Sequence, residues 1–218
     1  MAHGTLICAH RGASADLPDN SIAAFDAAIE ARADMIETDV RRGTGGELVL
    51  AHDPVTGDDA ALVRLAELVS LAAGRITLDL ELKEPGLEEE LLAAARPYPR
   101  GLLVTSFLPD VLARVHELDP TVRTGLVVDE GCDVFERAAD CRARVVAPSI
   151  AMLTPALLQE ADRLRSPLVV WTVNDEATLT RLLADQRVGC VITDVPARAR
   201  ALAGARHRPE PGGPGRWT

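Results

Sequence analysis

At 218 residues, 47% of them apolar and only 3% aromatic, the chain is long enough for one domain whose core is built mostly from Ala, Leu and Val. A formal charge of −10 argues against sequence-independent binding to nucleic acid or anionic lipid, since both need an exposed cationic surface. The four cysteines, Cys8, Cys132, Cys141 and Cys190, show no C-x-x-C spacing, which disfavours a zinc ribbon or a disulfide framework and leaves reduced, mostly buried thiols.

Met1 to His10 carries neither a basic n-region nor a long apolar stretch, and no run of about 18 apolar residues follows, so the expectation is a cytoplasmic protein without a transmembrane segment. Apolar, β-branched runs then alternate with segments of helical period, the pattern of repeated βα units. Strands are expected to begin near Leu6, Met35, Ile76, Leu102, Val122, Val145, Leu168 and Cys190. Between them, helices are expected over Ser21 to Arg32 behind an Asp19/Asn20 cap, Ala60 to Leu71, Leu87 to Ala95, Asp110 to Leu118 and Val134 to Ala139. Thr154 to Arg165, opened by a Thr-Pro start, and Glu176 to Leu183 complete the set. Eight such units close an α/β barrel as a single domain over residues 1–203, with an open doubly wound sheet as the alternative. Glu47 to His52, preceded by Gly43, Gly45 and Gly46, reads as a short β excursion after the second strand. From 204 to 218 the chain turns to Arg, Pro and Gly without hydrophobic period, which predicts a disordered tail.

Barrel chemistry sits at the carboxyl ends of the strands. Those ends read His10-Arg11-Gly12, Glu37-x-Asp39, Glu81-x-Lys83, Trp171-x-x-Asn174 and Thr193-Asp194, while the excursion ends in His52-Asp53. Period-two geometry puts Glu37 and Asp39 on one strand face and Glu81 and Lys83 on another, so three carboxylates can converge. At 4 Å and an effective dielectric of 20, each like-charge pair costs about 4 kcal/mol. A divalent cation removes that cost, and an oxygen-only donor set favours Mg²⁺ or Ca²⁺, then Mn²⁺, over zinc. Pairing of these acids with rim arginines is the alternative.

Three carboxylates and a monoanionic phosphodiester carry −4; a divalent ion, Arg11 and Lys83, the one lysine of the chain, carry +4. Cleaving such a diester needs a proton taken from an attacking hydroxyl and one given to a poor leaving alkoxide, work suited to imidazoles, and His10 and His52 stand where it is needed. His3, His116 and His207 need no function. Trp171 either stacks on substrate or packs against the rim, Asn174 following it at the same strand end, and Asp194 equally reads as a cap for the last helix. No G-x-S-x-G elbow, no G-x-x-x-x-G-K-[ST] loop and no G-x-G-x-x-G after the first strand occurs.

The run His10-Arg11-Gly12, Asp19-Asn20-Ser21, Phe25, Ala33-Asp34-x-Ile36-Glu37-x-Asp39-Val40 and His52-Asp53-Pro54 resembles the glycerophosphodiester phosphodiesterase family. The resemblance continues through Glu81-Leu82-Lys83, Ser106-Phe107, Trp171-Thr172-Val173-Asn174 and Ile192-Thr193-Asp194-x-Pro196. It implies a TIM barrel that hydrolyses glycerophosphodiesters to sn-glycerol 3-phosphate and an alcohol. It also implies His10 and His52 as acid and base, Glu37, Asp39 and Glu81 as metal ligands, Arg11 and Lys83 on phosphate, and a cyclic phosphate formed by the neighbouring glycerol hydroxyl.

The sequence departs from the family pattern at Asp19-Asn20-Ser21, usually Glu-Asn-Thr, and at Gly43-Thr44-Gly45-Gly46, usually Thr-x-Asp-Gly. The 28 residues from Asp53 to Leu80 are fewer than many members carry there, which leaves the alcohol, lysophospholipid or water-soluble, and the oligomeric state open. The alternatives are a lysophospholipase D-type or other cyclizing phosphodiesterase, and a catalytically silent phosphoester-binding barrel in which the histidines or the acidic trio are misplaced.

Overall fold

The computed structural model describes residues 4–96 and 101–204. The chain runs β1 (Leu6–His10), α1 (Ile22–Glu30), β2 (Met35–Arg42), β3 (Leu48–Leu50), α2 (Leu65–Ala72), β4 (Thr77–Leu82), α3 (Glu88–Ala95), β5 (Leu102–Ser106) and α4 (Pro109–Leu118). It continues with β6 (Arg123–Val128), α5 (Val134–Asp140), β7 (Val145–Pro148), a 3₁₀ turn over Ile150–Met152, α6 (Pro155–Leu164), β8 (Leu168–Val170), α7 (Glu176–Leu183), β9 (Val188–Thr193) and α8 (Pro196–Ala203).

The sheet order is β7-β6-β5-β4-β2-β1-β9-β8, with β3 antiparallel to β2. The two path ends meet at the carboxyl side: Ile150 N–H donates to the Trp171 carbonyl at 2.5 Å, and Trp171 N–H to the Pro148 carbonyl at 3.2 Å. That closure decides for a (β/α)₈ barrel over an open doubly wound sheet. β3 is the predicted excursion.

Each strand alternates between two cores. Ile7, Ile36, Leu78, Leu80 and Val104 face outward and pack under the helices, while Cys8, Met35, Leu103, Val127, Val145, Val169 and Cys190 fill the barrel floor. The next inward residue along each strand therefore rises to the carboxyl-end mouth. Cys8 and Cys190 pack together in this floor, fully buried, and burial pushes the Cys8 thiol well up, helped by its hydrogen bond with Cys190. Cys141 is also buried and Cys132 is exposed.

Several predicted boundaries shift. Ser21, not Asp19 or Asn20, caps α1 by accepting the Ala24 N–H; Asn20 turns away at φ +53 because its amide is used in the barrel mouth. The helix expected from Ala60 begins at Leu65, after an Arg64 N-cap whose N–H is accepted by the Glu67 carboxylate. β9 starts two residues before Cys190. α6 opens as expected, with the Thr154 hydroxyl accepting the Leu157 N–H ahead of Pro155. The expected tail, from 205 on, and His3 and His207 lie outside the described residues. No helix among the described residues is long and apolar enough to cross a membrane.

Gly12 joins β1 to the rest of the barrel under tight constraint. Its φ is +89, and a Cβ there would meet the Ala24 backbone at 2.6 Å. Gly12→Ala is expected to lower unfolding stability in urea by about 2–4 kcal/mol, through both the left-handed backbone and the displaced α1.

Candidate active site

The barrel mouth holds a cavity of about 270 Å³. On one side β1, β2 and β4 supply His10, Glu37, Asp79, Glu81 and Lys83; on the other, β5 to β9 supply Thr105, Phe107, Val127, Ala147, Trp171 and Ile192. The charged half and the apolar half face each other.

The parallel register β2 to β4 sets Glu37 beside Asp79 and Asp39 beside Glu81. Glu37, Asp39 and Glu81 each offer one carboxylate oxygen, and these oxygens lie within 4.8 Å of one another, all buried. Lys83 Nζ sits 2.7 Å from Glu81 Oε1 and 2.9 Å from Asp39 Oδ1. Arg11 Nε lies 2.9 Å from Asp39 Oδ2, and its Nη1 donates to Asp19 at 3.1 Å. Asn20 Nδ2 donates to the same Asp39 carboxylate at 3.2 Å, and Asn20 Oδ1 accepts from Thr38 at 2.6 Å. The rim-arginine alternative therefore holds in part, for Asp39 alone.

These contacts divide the acids. Burial alone would raise Asp39, but Lys83 and Arg11 beside it hold its carboxyl below the usual range. Glu37 is driven well above that range, first by burial, then by the charges of Asp39, Glu81 and Asp79, against which Arg11 is too little. Glu81 is raised by burial in spite of Lys83. Two cations do not neutralise this cluster, and its donors are oxygen only. Such a site fits a hard divalent cation.

His10 ends β1 and donates through Nδ1 to Asp194 Oδ1 at 2.6 Å. Asp194 also accepts from the Ser14 hydroxyl at 3.0 Å and from Asn174 Nδ2 at 2.5 Å, while Asn174 Oδ1 accepts the Asp194 N–H at 2.9 Å and the Thr193 hydroxyl at 3.1 Å. Burial would raise Asp194, but the hydrogen bonds from His10 and Asn174 keep its carboxyl below the usual range. A carboxylate at Nδ1 puts the proton there and leaves His10 Nε2 open; Nε2 lies 4.0 Å from Glu37 Oε2.

His52 borders the same cavity from the loop after β3, with Nδ1 3.0 Å from Asp53 Oδ1. Its side chain is 47% exposed against 21% for His10. Arg41 steadies this loop, its Nε donating to the His52 carbonyl at 2.9 Å and its Nη1 to Glu84 at 3.0 Å.

Residues 10–91 and 86–198 match the model of the glycerophosphoryl diester phosphodiesterase family. The chain belongs to this family. It is 29% identical to the glycerophosphodiester phosphodiesterase of Caldanaerobacter subterraneus subsp. tengcongensis, over 88% of this chain and 95% of the relative. It is 28% identical to a glycerophosphodiester phosphodiesterase of Bacillus subtilis, over 88% and 84%. Among solved structures, a phosphodiesterase of Oleispira antarctica in complex with the product sn-glycerol-3-phosphate has the same fold, with a TM-score of 0.82 at 22% identity over 91% of this chain and 96% of that one.

Within this family member the structure brings together Arg11, Glu37, Asp39, Glu81 and Lys83, with both histidines and Trp171 lining the same cavity. Asn174 is not on the cavity wall. Its amide donates to Asp194 and accepts from Thr193. Asp194 caps nothing: α8 starts from Val195, whose N–H bonds the Thr193 hydroxyl. The Trp171 indole donates to the Ala147 carbonyl at 2.7 Å and meets Phe107 edge-on at 5.6 Å between ring centroids, so its own packing is fixed while it borders the cavity.

Asp79 is the buried acid that sequence reading passed over. It accepts from Thr105 at 2.7 Å, and burial, opposed by that hydrogen bond and aided by Glu81 and Asp39, pushes it up to about 7. The signal was available, because Asp79 lies one period-two step below Glu81 on the same inward face. A carboxyl raised in the folded state adds stability that is whole below its unfolded value and is lost as pH rises through the folded one. In EDTA, Asp79→Asn is therefore expected to stabilise the protein at pH 8 by up to about 4 kcal/mol. In urea melts, the gain should shrink toward zero as pH falls from 7 to 4.

Proposed function

We propose that this member of the family hydrolyses glycerophosphodiesters to sn-glycerol 3-phosphate and an alcohol by two-histidine acid–base catalysis. The observation that carries it is one cavity bordered by two histidines, each with a carboxylate at Nδ1, and by an under-neutralised trio of carboxylates flanked by Arg11 and Lys83.

Glu37, Asp39 and Glu81 would hold a divalent cation, Mg²⁺ or Ca²⁺ by the hardness of the donors and then Mn²⁺, which when bound supplies charge stabilisation to the phosphoryl oxygens. Arg11 and Lys83 hold the diester beside it and stabilise the charge that grows on phosphorus-bound oxygen. One imidazole takes the proton of the attacking hydroxyl as its oxygen bonds to phosphorus. The other gives a proton to the alcohol oxygen as the phosphorus–oxygen bond to it breaks, so both histidines end with their protons exchanged and a second, hydrolytic half-reaction restores them. If the attacking hydroxyl is the glycerol neighbour, the first product is a cyclic phosphate that water opens. The apolar half, with Trp171 and Phe107, receives the organic part of the substrate.

Asp194 acts through His10, fixing which nitrogen bears the proton, and Asn174 and Ser14 fix Asp194. Asp194→Asn is expected to cut kcat at least about tenfold with little change in KM.

The function itself is tested by ³¹P NMR of glycerophosphocholine incubated with the cation-loaded protein. Conversion to glycerol 3-phosphate, with a cyclic phosphate signal rising and falling, is the expected course. Folded protein that binds the diester without turning it over would instead make the barrel a binding protein, and turnover of lysophosphatidylcholine alone would make it a lipid-directed enzyme.

A further inference from the structure

The apolar half of the cavity contains one acidic side chain that the mechanism above does not use. Asp129 follows the last residue of β6 by one position and continues the inward period of Val127, which packs in the barrel floor. It lines the cavity between the strand that supplies Phe107 and the strand that supplies Trp171. It has no hydrogen bond or ion pair among the described residues, unlike Asp194 and the acidic trio. Only 3% of the chain is aromatic, yet two of those residues meet here at 5.6 Å, with the Lys83 ammonium 5.7 Å from the Phe107 ring centroid on the phosphate side.

We propose that Asp129, together with Trp171 and Phe107, selects diesters whose alcohol carries a positive charge, such as a quaternary or primary amino alcohol. This rests on the diesterase reading above. The physical reason is that an aromatic face and a nearby carboxylate are each attractive to a desolvated ammonium and indifferent or repulsive to a neutral or anionic alcohol. Charge accounting points the same way. A divalent ion, Arg11 and Lys83 offset the acidic trio and the phosphate, and Asp129, with Asp79 buried on the charged side, is acid left over in the lining. An ester that is anionic at phosphate and cationic at its alcohol neutralises both ends of the cavity, phosphate toward Lys83 and ammonium toward Asp129.

The test compares kcat/KM for glycerophosphocholine and glycerophosphoglycerol in the cation-loaded protein and in Asp129→Asn. The expected result is a preference for the choline ester in the parent, falling about tenfold in Asp129→Asn while the glycerol ester stays within about twofold. Asp129→Lys should reverse the preference, which separates loss of charge selection from a disturbed loop. The same ratio taken with lysophosphatidylcholine against lysophosphatidylglycerol tells whether the cationic alcohol is read on a water-soluble diester or on a lipid headgroup. An unchanged ratio in both variants, or an equal loss for both esters, overturns the inference and leaves the diesterase reading intact. No release from any of the four esters overturns both.

Discussion

His10→Ala and His52→Ala are each expected to lower glycerol 3-phosphate release by about 10²- to 10⁴-fold, the usual worth of one general acid or base. The loss should fall on kcat, because the proposed mechanism gives the phosphate to Arg11 and Lys83 and not to either ring. The double variant should be little worse than the poorer single one, since removing either proton carrier already halts the sequence. Steady-state kinetics on the three variants check this. The two sites should still differ in texture: His10 is locked by Asp194 at 2.6 Å, and His52 rides an exposed loop tied through its carbonyl to Arg41. Loop substitutions such as Arg41→Ala therefore reach kcat only through His52, whereas changes at Asn174 or Ser14 reach it only through His10.

The second large effect concerns the cation. Three buried carboxylate oxygens within 4.8 Å make the metal-free barrel mouth a source of instability that binding relieves. At a cation concentration 100 times its dissociation constant, binding contributes about 2.7 kcal/mol, which for a domain of this size raises the melting midpoint by roughly 5–10 °C. The effect should grow with pH. Glu37 and Glu81 have raised carboxyls in the folded state, so their contribution to metal-free stability is whole at low pH and is lost as pH rises through those raised values. Scanning calorimetry in EDTA and in Mg²⁺, Ca²⁺ or Mn²⁺ checks the expectation. Glu37→Gln with Glu81→Gln should melt higher than the parent in EDTA and gain nothing from any of the three cations.

Much of the barrel was legible because its strands obey a period of two and its helices a period near 3.6, and both periods survive in the apolar residues alone. The pairs Glu37-x-Asp39 and Glu81-x-Lys83 could be placed on inward faces for the same reason. What sequence could not supply was the register between strands. The alignment of Glu37 with Asp79 and of Asp39 with Glu81 shows which acids stand side by side in the charged layer. A period-two rule applied further down β4 would have offered Asp79 as a candidate.

Asn174 shows a different limit. Its place at a strand end next to Trp171 does not reveal its partners, which depend on the backbone beyond β8; there its amide meets Asp194, just past the end of the neighbouring strand β9. Asn20 shows the same limit. Its type and position suit a helix cap, and the interior claimed it because Asp39 and Thr38 needed partners more than the helix did; Ser21 was adjacent to take the cap. Helix α2 begins late because the residues before it hold β3 and its turn, Asp59 accepting the Thr44 N–H, Val63 the Leu50 N–H and Arg64 pairing with Glu47, and no periodicity records that duty.

The most direct test strips the protein with EDTA and measures glycerol 3-phosphate release from glycerophosphocholine before and after Mg²⁺, Ca²⁺ or Mn²⁺ is returned, in the parent and in His10→Ala and His52→Ala. Release that requires a divalent cation and collapses in both variants is the predicted result. Full release in EDTA, or release that survives loss of either histidine, would contradict the assignment of this barrel mouth as a cation-assisted, two-histidine phosphodiesterase.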